Sequence, residues 1–135
     1  MTALEDWAWL HAATAMHYLH LICQLVIGLG ILNVWFLRSG RQTSYRGGAA
    51  ASLKEEFGAY GLPGWMFWAV GILKVGSAVA LLAGIVVPVL VQPAAITMAG
   101  LMIGAIIMHV KVKDAAHKSL PALILLALSL ILVVT

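Results

Sequence analysis

Charged side chains are scarce in this sequence, at 10% of its 135 residues against 63% hydrophobic ones. A water-soluble domain carries about a quarter, so the chain reads as an integral membrane protein, and no nucleic-acid partner is expected. Cysteine is nearly absent. The single Cys23 excludes an intrachain disulfide and any CxxC redox pair. Basic residues are missing ahead of the first apolar run, where MTALEDWAW carries only Glu5 and Asp6. That is not the charged start of a cleaved signal peptide, and the first apolar run is expected to be retained.

What the sequence has instead is long apolar runs, at about 16–37, 64–88, 93–110 and 119–135. Each approaches the ~20 residues that cross a hydrocarbon core. The expected fold is all-α, an integral membrane four-helix bundle forming a single domain over 1–135. Arg38, Arg41, Arg46 and Lys54 lie between runs one and two, and Lys111, Lys113 and Lys118 between runs three and four. By the positive-inside rule both basic loops are cytoplasmic and both termini lie outside.

Thr2 and Glu5 have capping-box spacing, which predicts a helix from Ala3 to about Leu37. The connecting segment 39–63 holds a second helical pattern at about 49–60, capped by Ser52 and stopped by Gly61 and Pro63. Leu53, Phe57 and Tyr60 make its apolar stripe, suited to lying on the membrane or folding over the bundle mouth. Glu56 stands closer to that stripe than Glu55 and is the acid placed to turn inward. Arg46, ahead of the Gly47-Gly48 hinge, is placed to reach a lipid phosphate or one of these carboxylates.

The second run carries Lys74 about ten residues in, close to the midplane at 1.5 Å per residue. A lysine there costs roughly 2.5 to 3.5 kcal/mol on insertion scales, so it faces a partner, a cavity or another helix. Asn33 at the inner end of run one and His109 at the inner end of run three fall at a similar depth. Asn33, Lys74, His109, Glu56 and Arg46 are therefore the candidate ligand-binding residues. A structural hydrogen-bond knot is the competing role.

Two further patterns carry less. His17, His20 and Cys23 share one helical side near the outer end, but the outer ends of the other runs supply no His, Cys, Asp or Glu. No metal site is expected, and that trio is the weaker alternative. Gly28, Gly30 and the GxxxG pair Gly100 and Gly104 suit close helix contacts, within the chain or between copies. No catalytic residue is evident.

The stretches WFLRSGRQTSYRGG, SLKEEFGAYGLPGW, AVGILKVGSAVALLAG and MHVKVKDAAHKSLPALILL, in that order, together resemble the DoxX-like family over roughly 30–135. The motif positions are Glu56, Gly71, Lys74, His109, Asp114 and Lys118. The resemblance implies a small four-helix protein of a bacterial inner membrane. Some relatives are named as subunits of a thiosulfate:quinone oxidoreductase, some are associated with redox-defence complexes, and distant animal relatives are regarded as assembly chaperones for membrane receptors. Two functions follow as expectations. One is a non-catalytic binding or assembly module, with an inner-half pocket for a lipid or quinone head group and a membrane protein or second copy as partner. The other is a subunit of a quinone-linked oxidoreductase, with quinone as its cofactor; a small homo-oligomeric carrier ranks third.

Overall fold

The computed structural model describes residues 2–135. Helix α1 runs Ala3–Leu32 and opens with the reciprocal capping box: Thr2 Oγ1 accepts from the Glu5 amide and Thr2 N donates to Glu5 Oε2. Its last turn widens into a π-helical segment, Asn33–Leu37, where the Arg38 amide donates to Asn33 O at 3.0 Å. A short helix α2, Leu53–Ala59, follows the loop. Then come α3, Gly64–Ala83, α4, Val91–Lys111, and α5, Leu120–Val134. Single 3-10 turns, Pro88–Leu90 and Ala116–Ser119, lead into the last two helices. There is no strand among the described residues.

Four helical stretches are long and apolar enough to cross a membrane: Ala3–Leu37, Gly64–Ala83, Pro88–Lys111 and Ala116–Val134. Helix α1 packs along α3, α3 along α4, α4 along α5, and α5 returns to α1, which closes a four-membered ring. Its core is built from Cys23, Ile27 and Ile31 of α1, Ala78 and Leu81 of α3, Ala95, Met98 and Met102 of α4, and Leu132 of α5. Outward faces present Ile72, Val79, Ile96, Ile103, Ile107 and Leu123. In water such faces would drive association; in hydrocarbon they are matched to their solvent.

Several boundaries differ from those expected. The loop helix begins at Leu53, not about 49, because the Ser52 side chain accepts from the Glu55 amide and sets the start. Span two stops at Ala83, and spans three and four gain the 3-10 turns that precede them. Residues 2–19 are exposed, so the first half of α1, about 25 Å long, is outside the buried core of the bundle.

The glycines divide in the same way. A Cβ on Gly28 would lie 2.6 Å from Leu82 Cγ, so α1 and α3 do meet closely there. Gly30, Gly100 and Gly104 have nothing within 4 Å of that position. The expected tight contact at Gly100 and Gly104 is therefore not made within the chain, and both glycines line an open space instead.

Candidate functional site at the basic end

The loop between α1 and α3 folds over one mouth of the bundle. Its stripe is buried there: Phe57 meets Phe67 edge-on at 5.5 Å and Trp35 at 6.3 Å between ring centroids. The π turn of α1 presents Trp35 to α3, where Gly71 leaves room for it: a Cβ on Gly71 would stand 2.6 Å from the indole. With that stripe inward, Glu56 is carried to the same side, and only 9% of it remains exposed.

Glu56 is held from two directions. Arg46 Nη1 lies 3.4 Å from its Oε2, and the Tyr60 hydroxyl donates to its Oε1 at 2.5 Å. Arg46 is 6% exposed, with Nη2 donating to Arg38 O at 2.6 Å and Nε to Arg41 O at 3.3 Å. Its guanidinium fork thus ties the start of the loop to α2. Gly47 gives Tyr60 its space, since a Cβ at that position would clash with the phenol hydroxyl and the ring carbon beside it.

His109, also 6% exposed, brings in α4. Its Nε2 lies 3.3 Å from the Tyr60 oxygen and 3.9 Å from Glu56 Oε1, while Nδ1 meets Asp114 Oδ2 at 2.7 Å. Asp114 in turn accepts from the Gly48 amide at 3.0 Å and lies 3.7 Å from Lys118 Nζ, which donates to Gly48 O at 2.9 Å. Lys111 Nζ donates to the Tyr60 carbonyl at 2.8 Å. Among the described residues no buried side-chain nitrogen or oxygen lacks a partner.

Two of these groups are shifted by their surroundings. Burial, the hydrogen bond to Glu56 and the charges of Glu56 and Asp114 push the Tyr60 phenol well up, with Arg46 opposing, so it remains a neutral hydroxyl. For Asp114 burial alone would act upward. The His109 and Gly48 hydrogen bonds and the Lys118 charge outweigh it and hold the carboxyl below its ordinary 3.8.

Beneath the network lie two cavities of about 270 and 200 Å³. Lys74 and Glu56 line both. The larger is also walled by Arg38, Arg46, His109 and Lys118, and the smaller by Gly100 and Gly104. Lys74 is half-buried, and its ammonium has no hydrogen bond or ion pair to the described residues. Of the five residues expected to converge, Lys74, Glu56, His109 and Arg46 do so. Asn33 does not: it sits in the π turn, outside the lining of either cavity.

Sequence reasoning took Tyr60 only as part of an apolar stripe. Its position four residues after Glu56, on the same face, is the signal that its hydroxyl can reach the carboxylate. Asp114, a motif position of the resemblance, crosses to His109 and Gly48.

The opposite end has a cavity of about 300 Å³ lined by His17, His20, Gln24, Gln92 and Thr135 among others. His20 Nε2 lies 2.6 Å from Thr135 Oγ1, and Gln24 Nε2 donates to Leu81 O at 2.9 Å. Cys23 points into the core and does not join His17 and His20. No set of three His, Cys, Asp or Glu side chains among the described residues is arranged to hold a metal ion.

Comparison with curated proteins and with solved structures returns no match. A family model described as the DoxX-like family does match, over residues 27–132. That range takes in the end of the first membrane helix, the three that follow, the folded loop and every residue of the basic-end network, so the chain is an integral membrane protein that belongs to the DoxX-like family.

Proposed function

We propose that this protein is a non-catalytic membrane binding or assembly module, whose basic-end cavity receives the oxygen-rich head group of a lipid or a quinone. One observation carries the reading: Lys74 offers an ammonium, free of partners among the described residues, to a space whose other cations are Arg38, Arg46 and Lys118. A cation held within a membrane span is costly unless an acceptor meets it. Glu56 is engaged by Arg46 and Tyr60, so a head-group oxygen is the acceptor still to be supplied. The basic loops face the cytoplasm of a bacterial inner membrane, and the termini lie outside. A membrane protein or a second copy of the chain is the partner in assembly.

The test is extraction and mass spectrometry of small molecules retained by the purified chain and by Lys74→Met, which keeps the side-chain length and should insert readily. The natural chain is expected to hold a discrete lipid or quinone and the variant to retain about ten- to hundredfold less, as loss of a charged hydrogen bond implies. Equal retention by both would overturn the proposal.

A second reading, a small subunit of a quinone-linked oxidoreductase, is favoured by the line of proton-bearing side chains that ends at the cavity wall. Quinone in the extract, with no phospholipid enriched beside it, is its signature.

A further inference from the structure

Glu56, Tyr60, His109 and Asp114 form a line of shared protons. The Tyr60 oxygen lies 2.5 Å from Glu56 Oε1 and 3.3 Å from His109 Nε2, and the other ring nitrogen lies 2.7 Å from Asp114 Oδ2. A hydroxyl donates one hydrogen bond while accepting others, so the line closes in two ways. In the first, imidazolium His109 donates from Nε2 to Tyr60, and Tyr60 donates to a Glu56 carboxylate. In the second, Glu56 carries the proton on Oε1 and donates to Tyr60, and Tyr60 donates to a neutral Nε2. Asp114 accepts from Nδ1–H in both.

The two arrangements differ by one transferred proton. The Nε2–H bond breaks as an O–H bond forms on Tyr60, and the original Tyr60 O–H breaks as one forms on Glu56. No electron changes hands. Because the phenol is held neutral, Tyr60 can pass the proton without stopping as phenolate.

The groups facing each end set the balance. Glu56 is faced by Arg46 from the loop at 3.4 Å, Tyr60 from its own helix and His109 from α4 at 3.9 Å, and it shares both cavity walls with Lys74 of α3. His109 is faced by Tyr60, Glu56 and Asp114, the last with Lys118 at 3.7 Å. Arg46 and Lys74 set positive charge beside Glu56. An anionic head group beside Lys74 compensates that field and brings like charge toward the Glu56 carboxylate.

We propose that Tyr60 bridges a proton relay between His109 and Glu56, and that an acidic head group binding beside Lys74 draws a proton across it, the vacated His109 Nε2 being reprotonated from solution at the cavity that His109 lines. This rests on the head-group cavity proposed above. It adds what that cavity does on binding: it takes up a proton.

Two measurements on the full chain separate the relay from the cavity. The first needs no ligand. In phosphatidylcholine nanodiscs, nitrogen NMR of His109 Nε2 is followed against pH for the natural chain, Glu56→Gln, Tyr60→Phe and the double variant. Glu56→Gln is expected to move the Nε2 titration strongly with Tyr60 present and much less in the Tyr60→Phe background. Equal shifts in both backgrounds would mean the two groups feel each other only through space, and would overturn the relay. Glu56→Gln alone keeps an acceptor for Arg46 and Tyr60, so it reports even if Tyr60→Phe folds poorly: an unmoved Nε2 titration also overturns the relay.

The second measurement titrates nanodiscs with phosphatidylglycerol in weak buffer. Up to one proton taken up per head group bound is expected, with binding tightening by up to about tenfold for each pH unit lowered. Tyr60→Phe should bind but lose most of that dependence. Absence of phosphatidylglycerol binding by the natural chain would overturn the link between ligand and proton, while the first measurement still judges the relay. Binding without proton uptake would overturn the link and leave the cavity standing.

Discussion

The two ends of the bundle hold their chains together by different chemistry. At the basic end, buried Arg46, Glu56 and His109, with Asp114, interlock a loop, α2 and the end of α4. At the far end the tertiary side-chain bonds involve no Asp, Glu, Lys or Arg, only His20 with Thr135, Gln24 with Leu81 O and Gln92 with Val133 O, and the first half of α1 is exposed. Apolar helices in hydrocarbon gain little directional preference from burial, since lipid tails are as apolar as leucine. Bonds from charged groups at one end are directional, and they fix which residues of the loop face which residues of α4.

If that contrast is real, lesions at the basic end should cost far more than lesions at the far end. The largest effect belongs to Glu56→Ala, which leaves Arg46 buried without its counter-charge. About 3–5 kcal/mol of stability should be lost, read as a large drop in thermal unfolding temperature in detergent or nanodiscs. A loss no larger than that of an exposed substitution would break the comparison. Gly47→Ala comes next, because its methyl would clash with the Tyr60 phenol; about 1–3 kcal/mol is expected, measured in the same way.

Asp114→Asn sharpens the comparison through pH. The native carboxyl sits below its ordinary 3.8, so its contribution is fully present above that value and is lost as pH falls through the lower folded value. The variant should therefore cost about 1–2 kcal/mol at neutral pH, as expected for bonds to a charged group. It should differ little from the natural chain once both are well below pH 3.8, and unfolding curves across pH 2–7 would show it. The smallest effect is at the far end. His20→Ala removes only the bond to Thr135 and should change stability by less than about 0.5 kcal/mol.

The apolar spans were legible because hydropathy survives any choice of partner, and the Thr2 and Ser52 caps because they depend on neighbours within four residues. Glu56 was legible from its phase against Leu53, Phe57 and Tyr60. What the sequence concealed was non-local. The widened turn at Asn33–Leu37 has no local marker, and it holds Asn33 outside the lining of both cavities. Gly100 and Gly104 form the same pattern whether a helix or a space faces them. Asp114 resembles a cap until the fold brings Gly48 to it across 66 residues.

Cys23 is fully enclosed by the core, so the chain's one natural thiol is out of reach of reagents in water. Trp7→Cys or Lys54→Cys, each at an exposed position, would then be the sole site labelled by a membrane-impermeant maleimide. Applied to intact cells, the reagent should mark the first and spare the second. The molecule carries a silent background against which its own sidedness can be read one position at a time.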